Sequence, residues 1–174
     1  MRHHGAILVA LILGTAASGC TTDLSHYDPP TQLCHVKVSQ ESISPLLPPG
    51  TDVEVVDETI SDDFFICDVS VDGSRVLHID VFRDRARFDP MKEGSALYSY
   101  TDLQEVPFDG RAAVANEGAT ASVTCHRQGN KPHLNFDIVL HPAEEEGFDV
   151  SRDAIEVFLR EFVTATKDQE RCTE

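Results

Sequence analysis

The sequence predicts an α+β fold, an antiparallel sheet of about five or six strands packed by a C-terminal amphipathic helix and stapled by disulfides. Three observations carry that expectation. Short segments between residues 53 and 140 alternate apolar with polar side chains, the period of a half-buried strand. Near the C-terminus Ile155, Phe158, Leu159, Phe162 and Val163 fall at i, i+3, i+4, i+7 and i+8, one stripe of a helix. Five cysteines stand at 20, 34, 67, 125 and 172, too widely spaced for paired Cys-x-x-Cys ligands.

The chain has 174 residues, room for one domain of ordinary size once a leader is removed. Hydrophobic residues at 41% and charged residues at 25% are close to globular averages, which argues against wholesale disorder. The charge balance is lopsided, with 30 Asp and Glu against 14 Lys and Arg and a formal net charge of −16. That field repels nucleic acid, and no basic stripe overrides it. It repels an anionic lipid surface as well, so electrostatic adsorption does not account for membrane attachment.

Another route to the membrane is expected. Met1-Arg2-His3-His4 supplies a short positive end, Gly5 through Leu13 is an apolar run, and small residues follow up to Gly19. That order is a secretory signal peptide, and its apolar run is well short of the ~20 residues a spanning helix needs. Ala17-Ser18-Gly19-Cys20 resembles the bacterial lipobox, with Ala17 where leucine is more usual. The resemblance implies a diacylglycerol on the Cys20 sulfur and cleavage immediately before it. The odd cysteine count agrees, because lipid on Cys20 leaves four thiols that can all pair in an exported protein. The expected layout is a signal peptide over 1–19, a lipidated tether over 20–33 and a single α+β domain over 34–174. The expected location is the extracytoplasmic face of the cell membrane.

Within the domain, Ser39 opens a short helix with Ile43, Leu46 and Leu47 on one side, made irregular by Pro45 and ended by Pro48-Pro49-Gly50. Val53 and Val55 start a first strand. Phe65, Cys67, Val69 and Val71 share one face of a second, and Leu77, Ile79 and Val81 one face of a third. A two-residue loop at Asp72-Gly73 would set Val69 opposite Val76 and mix the apolar faces. A three-residue loop, Asp72-Gly73-Ser74, pairs Val69 with Leu77, Cys67 with Ile79 and Phe65 with Val81, and is the expected one.

Residues 84–110 show no clear period. Asp89-Pro90 and Gly94 read as breakers, and Tyr98 and Tyr100 as marks of a short edge strand. A small-residue strand is expected near Arg111–Asn116, turned by Glu117-Gly118 into Ala119, Ala121, Val123 and Cys125 on one face. Leu134, Phe136, Ile138 and Leu140 alternate in the next strand, set with Cys125 opposite Leu134, Val123 opposite Phe136 and Ala121 opposite Ile138. Ser151 is the N-cap of the last helix, Asp153 suits its first turn, and Val150 and Ile155 are placed for a hydrophobic staple.

Four cysteines allow three connectivities. The favoured pairs are Cys34–Cys67, tying the start of the domain to a central strand, and Cys125–Cys172, tying the tail beyond the last helix to the sheet. The rival Cys67–Cys125 stays open, since both residues lie on inward faces.

Several pieces together are similar to small, mostly uncharacterised cell-surface lipoproteins of actinobacteria. They are the cysteine before a short helix ending in Leu46-Leu47-Pro48-Pro49-Gly50, the hairpin opened by Cys67, Val106-Pro107-Phe108-Asp109-Gly110, the Val123-Thr124-Cys125 strand and the late helix before Cys172. The resemblance covers most of residues 33–172 and implies a compact α+β domain with no known activity. The chain has no tryptophan, which many of those proteins carry near the Val-Thr-Cys strand.

No catalytic residue, metal ligand or cofactor is assigned. A Gly-x-Ser-x-Gly elbow is missing. His35 follows Cys34 and His126 follows Cys125, but neighbours on a strand point to opposite faces, and oxidised cysteines are not nucleophiles. His133, Asp137 and His141 share what reads as the outward face of one strand, yet the two histidines lie about 26 Å apart at ~3.3 Å per residue and cannot share an ion. Glu144-Glu145-Glu146 reads as a solvated loop. Tyr98, Tyr100 and Phe108 either rim a recognition surface or cap the core. The leading expectation is a non-enzymatic lipoprotein domain that binds an envelope protein or ligand. A hydrolase without a recognisable motif is the alternative, to be favoured by His78 or His133 bonded to a carboxylate beside an exposed hydroxyl. A structural spacer is the third.

Overall fold

The computed structural model describes residues 27–84, 86–97, 100–126, 132–141 and 148–173. A small hairpin, β1 (Gln32–Leu33) and β2 (Val36–Lys37), leads to a short helix α1 (Gln40–Ile43) and a 3-10 turn over Ser44–Leu46. Then come β3 (Val53–Ser61), β4 (Phe64–Val71), β5 (Ser74–Asp84), helix α2 (Pro90–Leu97), β6 (Gln104–Val106), β7 (Arg111–Val114), β8 (Gly118–Thr124), β9 (His133–Leu140) and helix α3 (Arg152–Gln169). The fold is α+β, and its main sheet has seven antiparallel strands, against about five or six expected, in the order β3-β4-β5-β9-β8-β7-β6.

The β4–β5 hairpin has the expected register, with Val69 opposite Leu77, Cys67 opposite Ile79 and Phe65 opposite Val81. Its turn, however, is the two-residue one. Val71 pairs with Ser74 across Asp72 and Gly73, whose φ angles of 49° and 80° are both left-handed. A bulge between Val69 and Ser70 reconciles the two, because the extra residue on β5 restores the parity that the short turn would reverse. Asp72 anchors this tip. Its carboxylate accepts the Thr51 hydroxyl at 2.8 Å and the Asp52 amide at 2.9 Å, and the Thr51 bonds hold its pKa below the usual carboxylate value.

β8 and β9 keep the expected faces but not the expected register. Val123 faces Leu134, Ala121 faces Phe136 and Ala119 faces Ile138, a slip of two residues. A period of two specifies which face is buried and leaves such a slip free. The observed register takes Cys125 out of the ladder, where its amide donates to the Pro132 carbonyl and its sulfur reaches Cys172. Gly118 is required where the strand begins. A Cβ there would lie 2.0 Å from the Ile138 carbonyl oxygen and 2.7 Å from the Tyr100 hydroxyl.

The segment 84–110 holds a helix rather than the edge strand expected at Tyr98 and Tyr100. Asp89-Pro90 starts α2 instead of breaking structure. The Asp89 carboxylate accepts the Met91 amide at 3.1 Å, and proline suits a first helical position where no amide partner is needed. Gly94 lets the helix approach the following chain, since a Cβ would meet Leu103 at 2.8 Å and Tyr100 at 3.1 Å. Tyr100 caps the core and donates its hydroxyl to the Ile138 carbonyl at 2.8 Å. Tyr98 lies outside the described residues. The edge strand on this side is β6, paired with β7.

α3 matches its expected stripe, with Ile155, Phe158, Leu159, Phe162 and Val163 buried. Phe162 packs edge-on to Phe136 of β9 at 6.2 Å, and the Ser151 hydroxyl accepts the Ala154 amide as N-cap. The helix ends in a Schellman motif, in which Cys172 N–H bonds the Lys167 carbonyl and Arg171 N–H bonds that of Asp168. Arg171 takes the left-handed position at φ 52°. The motif turns Cys172 back to Cys125, and the disulfides are Cys34–Cys67 and Cys125–Cys172, with Cα–Cα distances of 5.3 and 4.6 Å.

Residues 27–33, expected to belong to the tether, dock on the domain. Leu33 is fully buried, the Tyr27 hydroxyl donates to the Pro48 carbonyl at 2.6 Å, and Gln40 holds the Pro29 carbonyl. The apolar side chains of this stretch find the α1 corner, which its polar composition concealed. No helix among the described residues is long and apolar enough to cross a membrane.

Candidate functional site

The sheet has two unlike faces. One carries Val69, Leu77, Ile79, Val81, Phe136 and their neighbours and forms the core with α3, α1 and the β1–β2 hairpin. The other face is covered over β6, β7 and β8 by α2. The half over β3, β4 and β5 lies outside the main contacts of α2 and is the more open one, although Phe88, from the loop before α2, stacks on Phe82 of β5.

Strand register decides what that open half presents. Val56, Asp68 and His78 stand side by side across β3, β4 and β5. One step along stand Glu58, Ile66 and Asp80, and the next step pairs Phe64 with Phe82. Phe82 meets Phe64 edge-on at 6.3 Å and stacks on Phe88 at 5.8 Å. Val56 is 52% exposed and Ile60, at the bulge that ends β3, is 49% exposed. Apolar side chains thus alternate with carboxylates on this face, with Val56 and Ile60 exposed and Phe64, Ile66 and Phe82 half-buried.

His78 sits at its centre. Its Nδ1 lies 2.6 Å from Asp68 and its Nε2 3.3 Å from Asp80. Asp80 raises the histidine pKa most, and Asp68 adds to it against the opposing effect of burial. Arg75 reaches the same Asp68 oxygen at 3.5 Å. With a carboxylate on each ring nitrogen, His78 has no nitrogen left to take a proton from a nucleophile. The carboxylate half of the hydrolase geometry is therefore present, and the base it would serve is occupied.

The predicted row on β9 is placed differently from expectation. Asp137 is 1% exposed, so it does not stand on an outward face. β9 is the middle strand, and the segment carrying α2 lies over its β8 side, where the Thr120 hydroxyl donates to the Pro90 carbonyl at 3.0 Å. His133 and His141 flank it, both with pKa values lowered first by burial. Arg87 and then His126 add to this at His133, and Arg75 and then His78 at His141.

A cleft of about 480 Å³ lies on the other side of the molecule, between Phe108-Asp109 and α3. Its cations are matched by groups of the chain itself. Lys167 bonds Asp109 at 2.7 Å and keeps that carboxyl below its usual pKa, while Arg160 lies 5.4 Å over the Phe108 ring and bonds Glu156 and the Pro107 carbonyl. Phe108 therefore lines this cleft, away from Tyr100.

Of the other residues singled out, the four cysteines pair in two disulfides. Cys34, Asp57 and Cys67 place potential ligand atoms within 4.8 Å of one another, but the two sulfurs are bonded to each other and Asp57 accepts the amides of Cys34 and His35. His126 forms a bridge with Thr173 beside the second disulfide. Cys20 and Glu144-Glu145-Glu146 lie outside the described residues. Missing from the sequence reading was the Asp68–His78–Asp80 arrangement, although Asp68 opposite His78 follows from the hairpin register expected there. No protein-family model, curated protein or solved structure matches the chain.

Proposed function

We propose that the chain is a cell-envelope lipoprotein, held by lipid on Cys20 at the extracytoplasmic face of the membrane, whose domain is a non-enzymatic binding module for an envelope protein or ligand. The observation that carries the binding reading is the open half of the sheet. Val56 and Ile60 are exposed and Phe64, Ile66 and Phe82 half-buried beside them, and such interior-type residues outside the core support an interaction site in preference to a merely solvated surface. The engagement of both His78 nitrogens supports a binding role over catalysis. The signal peptide, the lipobox-like Ala17-Ser18-Gly19-Cys20 and the likeness to actinobacterial surface lipoproteins support the anchor.

Capture of partners from the parent envelope on the immobilised full chain tests the function. Retention of an envelope protein or ligand by the wild type, and its loss on Val56→Lys, is the expected result. Turnover of a substrate with nothing retained would overturn the reading. The intact mass of the native protein tests the anchor, which predicts a chain beginning at Cys20 with lipid on it.

A further inference from the structure

We infer that the outer edge of β3 and the adjoining open face dock an extended cationic segment whose basic and apolar side chains take turns along one face, and which adds to the sheet as an eighth strand. The inference rests on the binding-module reading and specifies its partner. β3 runs nine residues, Val53–Ser61, and is the terminal strand of the sheet. No strand among the described residues pairs with its outer edge, so a row of backbone donors and acceptors is presented there.

Charge selects among occupants. Glu54 and Glu58 stand on the open face of β3, Asp62 follows in its turn, and Asp68 lies one strand inward. The cations near them, Arg75 and His78, are already held by Asp68 and Asp80. A second copy laid antiparallel along this edge would set glutamate near glutamate, which costs stability in cross-strand pairs. A strand carrying lysine or arginine four residues apart with an apolar residue midway would instead meet Glu54 and Glu58 and cover Val56, because these three side chains share one face of β3. The bulge between Thr59 and Ser61 limits the docking length to the strand before it.

The test uses the full chain in a non-ionic detergent and short synthetic peptides. One carries lysine, valine and lysine at successive second positions with threonine between them, a second has proline at two central positions so that it cannot pair, and a third carries glutamate for lysine. The lysine–valine peptide is expected to bind at least tenfold more tightly than either control and to protect β3 amides from hydrogen exchange. The double variant Glu54→Lys/Glu58→Lys, with both sites on an exposed strand face, is expected to lose tenfold or more of that affinity. Val56→Thr, which keeps a β-branched residue, is expected to weaken binding with no change in thermal midpoint. Equal binding of the proline peptide, undiminished binding by the double variant, or a dimer of the chain occupying β3 would overturn the inference. If envelope capture gives the same partner with wild type and double variant, this inference fails while the binding-module reading stands.

Discussion

The Asp57 carboxylate accepts the Cys34 amide at 2.9 Å while standing directly across the β3–β4 ladder from Cys67, the residue to which Cys34 is disulfide-bonded. The same carboxylate reaches the His35 amide at 3.4 Å. Cys34 and His35 form the two-residue turn between β1 and β2, with φ angles of 50° and 62°. Left-handed backbone is unfavourable for residues with a Cβ, so the turn depends on what holds it. Asp57→Ala is expected to destabilise the domain by about 1–2 kcal/mol, and Asp57→Asn by less, since an amide oxygen still accepts. Urea unfolding measures both. Equal stability of Asp57→Ala and wild type would show that the disulfide alone holds the turn.

Loss of the second disulfide should cost more. Cys125 and Cys172 are 47 residues apart, and the chain-entropy model assigns such a cross-link about 4 kcal/mol. The Cys125→Ser/Cys172→Ser variant is expected to lose most of that in chemical unfolding, with hydrogen exchange faster first at the end of α3. The Arg83–Glu170 ion pair and the His126–Thr173 bridge remain to hold the tail near the sheet.

Arg171 offers a stabilising change. It occupies the left-handed position of the Schellman motif, where glycine carries no Cβ penalty. Arg171→Gly is expected to raise stability by about 0.5–1 kcal/mol, read as a higher thermal midpoint. A lower midpoint would mean that the arginine side chain makes a contribution larger than the backbone penalty.

His78 gives a pH signature. Its folded pKa lies above the ordinary histidine value because of Asp80 and then Asp68. A raised pKa stabilises the fold fully below the unfolded value near 6.5, and that contribution is lost as pH rises through the folded value. The imidazole resonances should therefore titrate with a midpoint above 6.5, and Asp80→Asn should move it down. The stability advantage of wild type over Asp80→Asn should shrink as pH rises through that midpoint. A His78 midpoint unmoved by Asp80→Asn would contradict the pairing.

Where residues were periodic, the fold was legible in the sequence. The faces of β4, β5, β8, β9 and α3 follow from alternation and from the 3.6-residue stripe, whereas the cysteine pairs are favoured by where those elements begin and end but not decided, since Cys67 and Cys125 both lie on inward faces. What alternation does not encode was missed. The β8–β9 slip preserves parity, and the β5 bulge hid a two-residue turn inside the correct register. α2 was concealed because Asp-Pro and Gly, breakers inside an element, here serve as its cap and its point of close approach. The open sheet face was partly legible, since Asp68 opposite His78 follows from the hairpin register. Which half of the second face α2 leaves bare depends on how a segment with no sequence period folds back.

Site-specific photo-crosslinking in cells of the parent organism tests the central claim most directly. A benzoylphenylalanine placed at Val56, on the open face, is expected to give a discrete adduct with an envelope component, and one placed at Thr164, beside the α3 cleft, none. Adducts from position 164 alone, or from neither position, would contradict the assignment of the open sheet face as the binding surface.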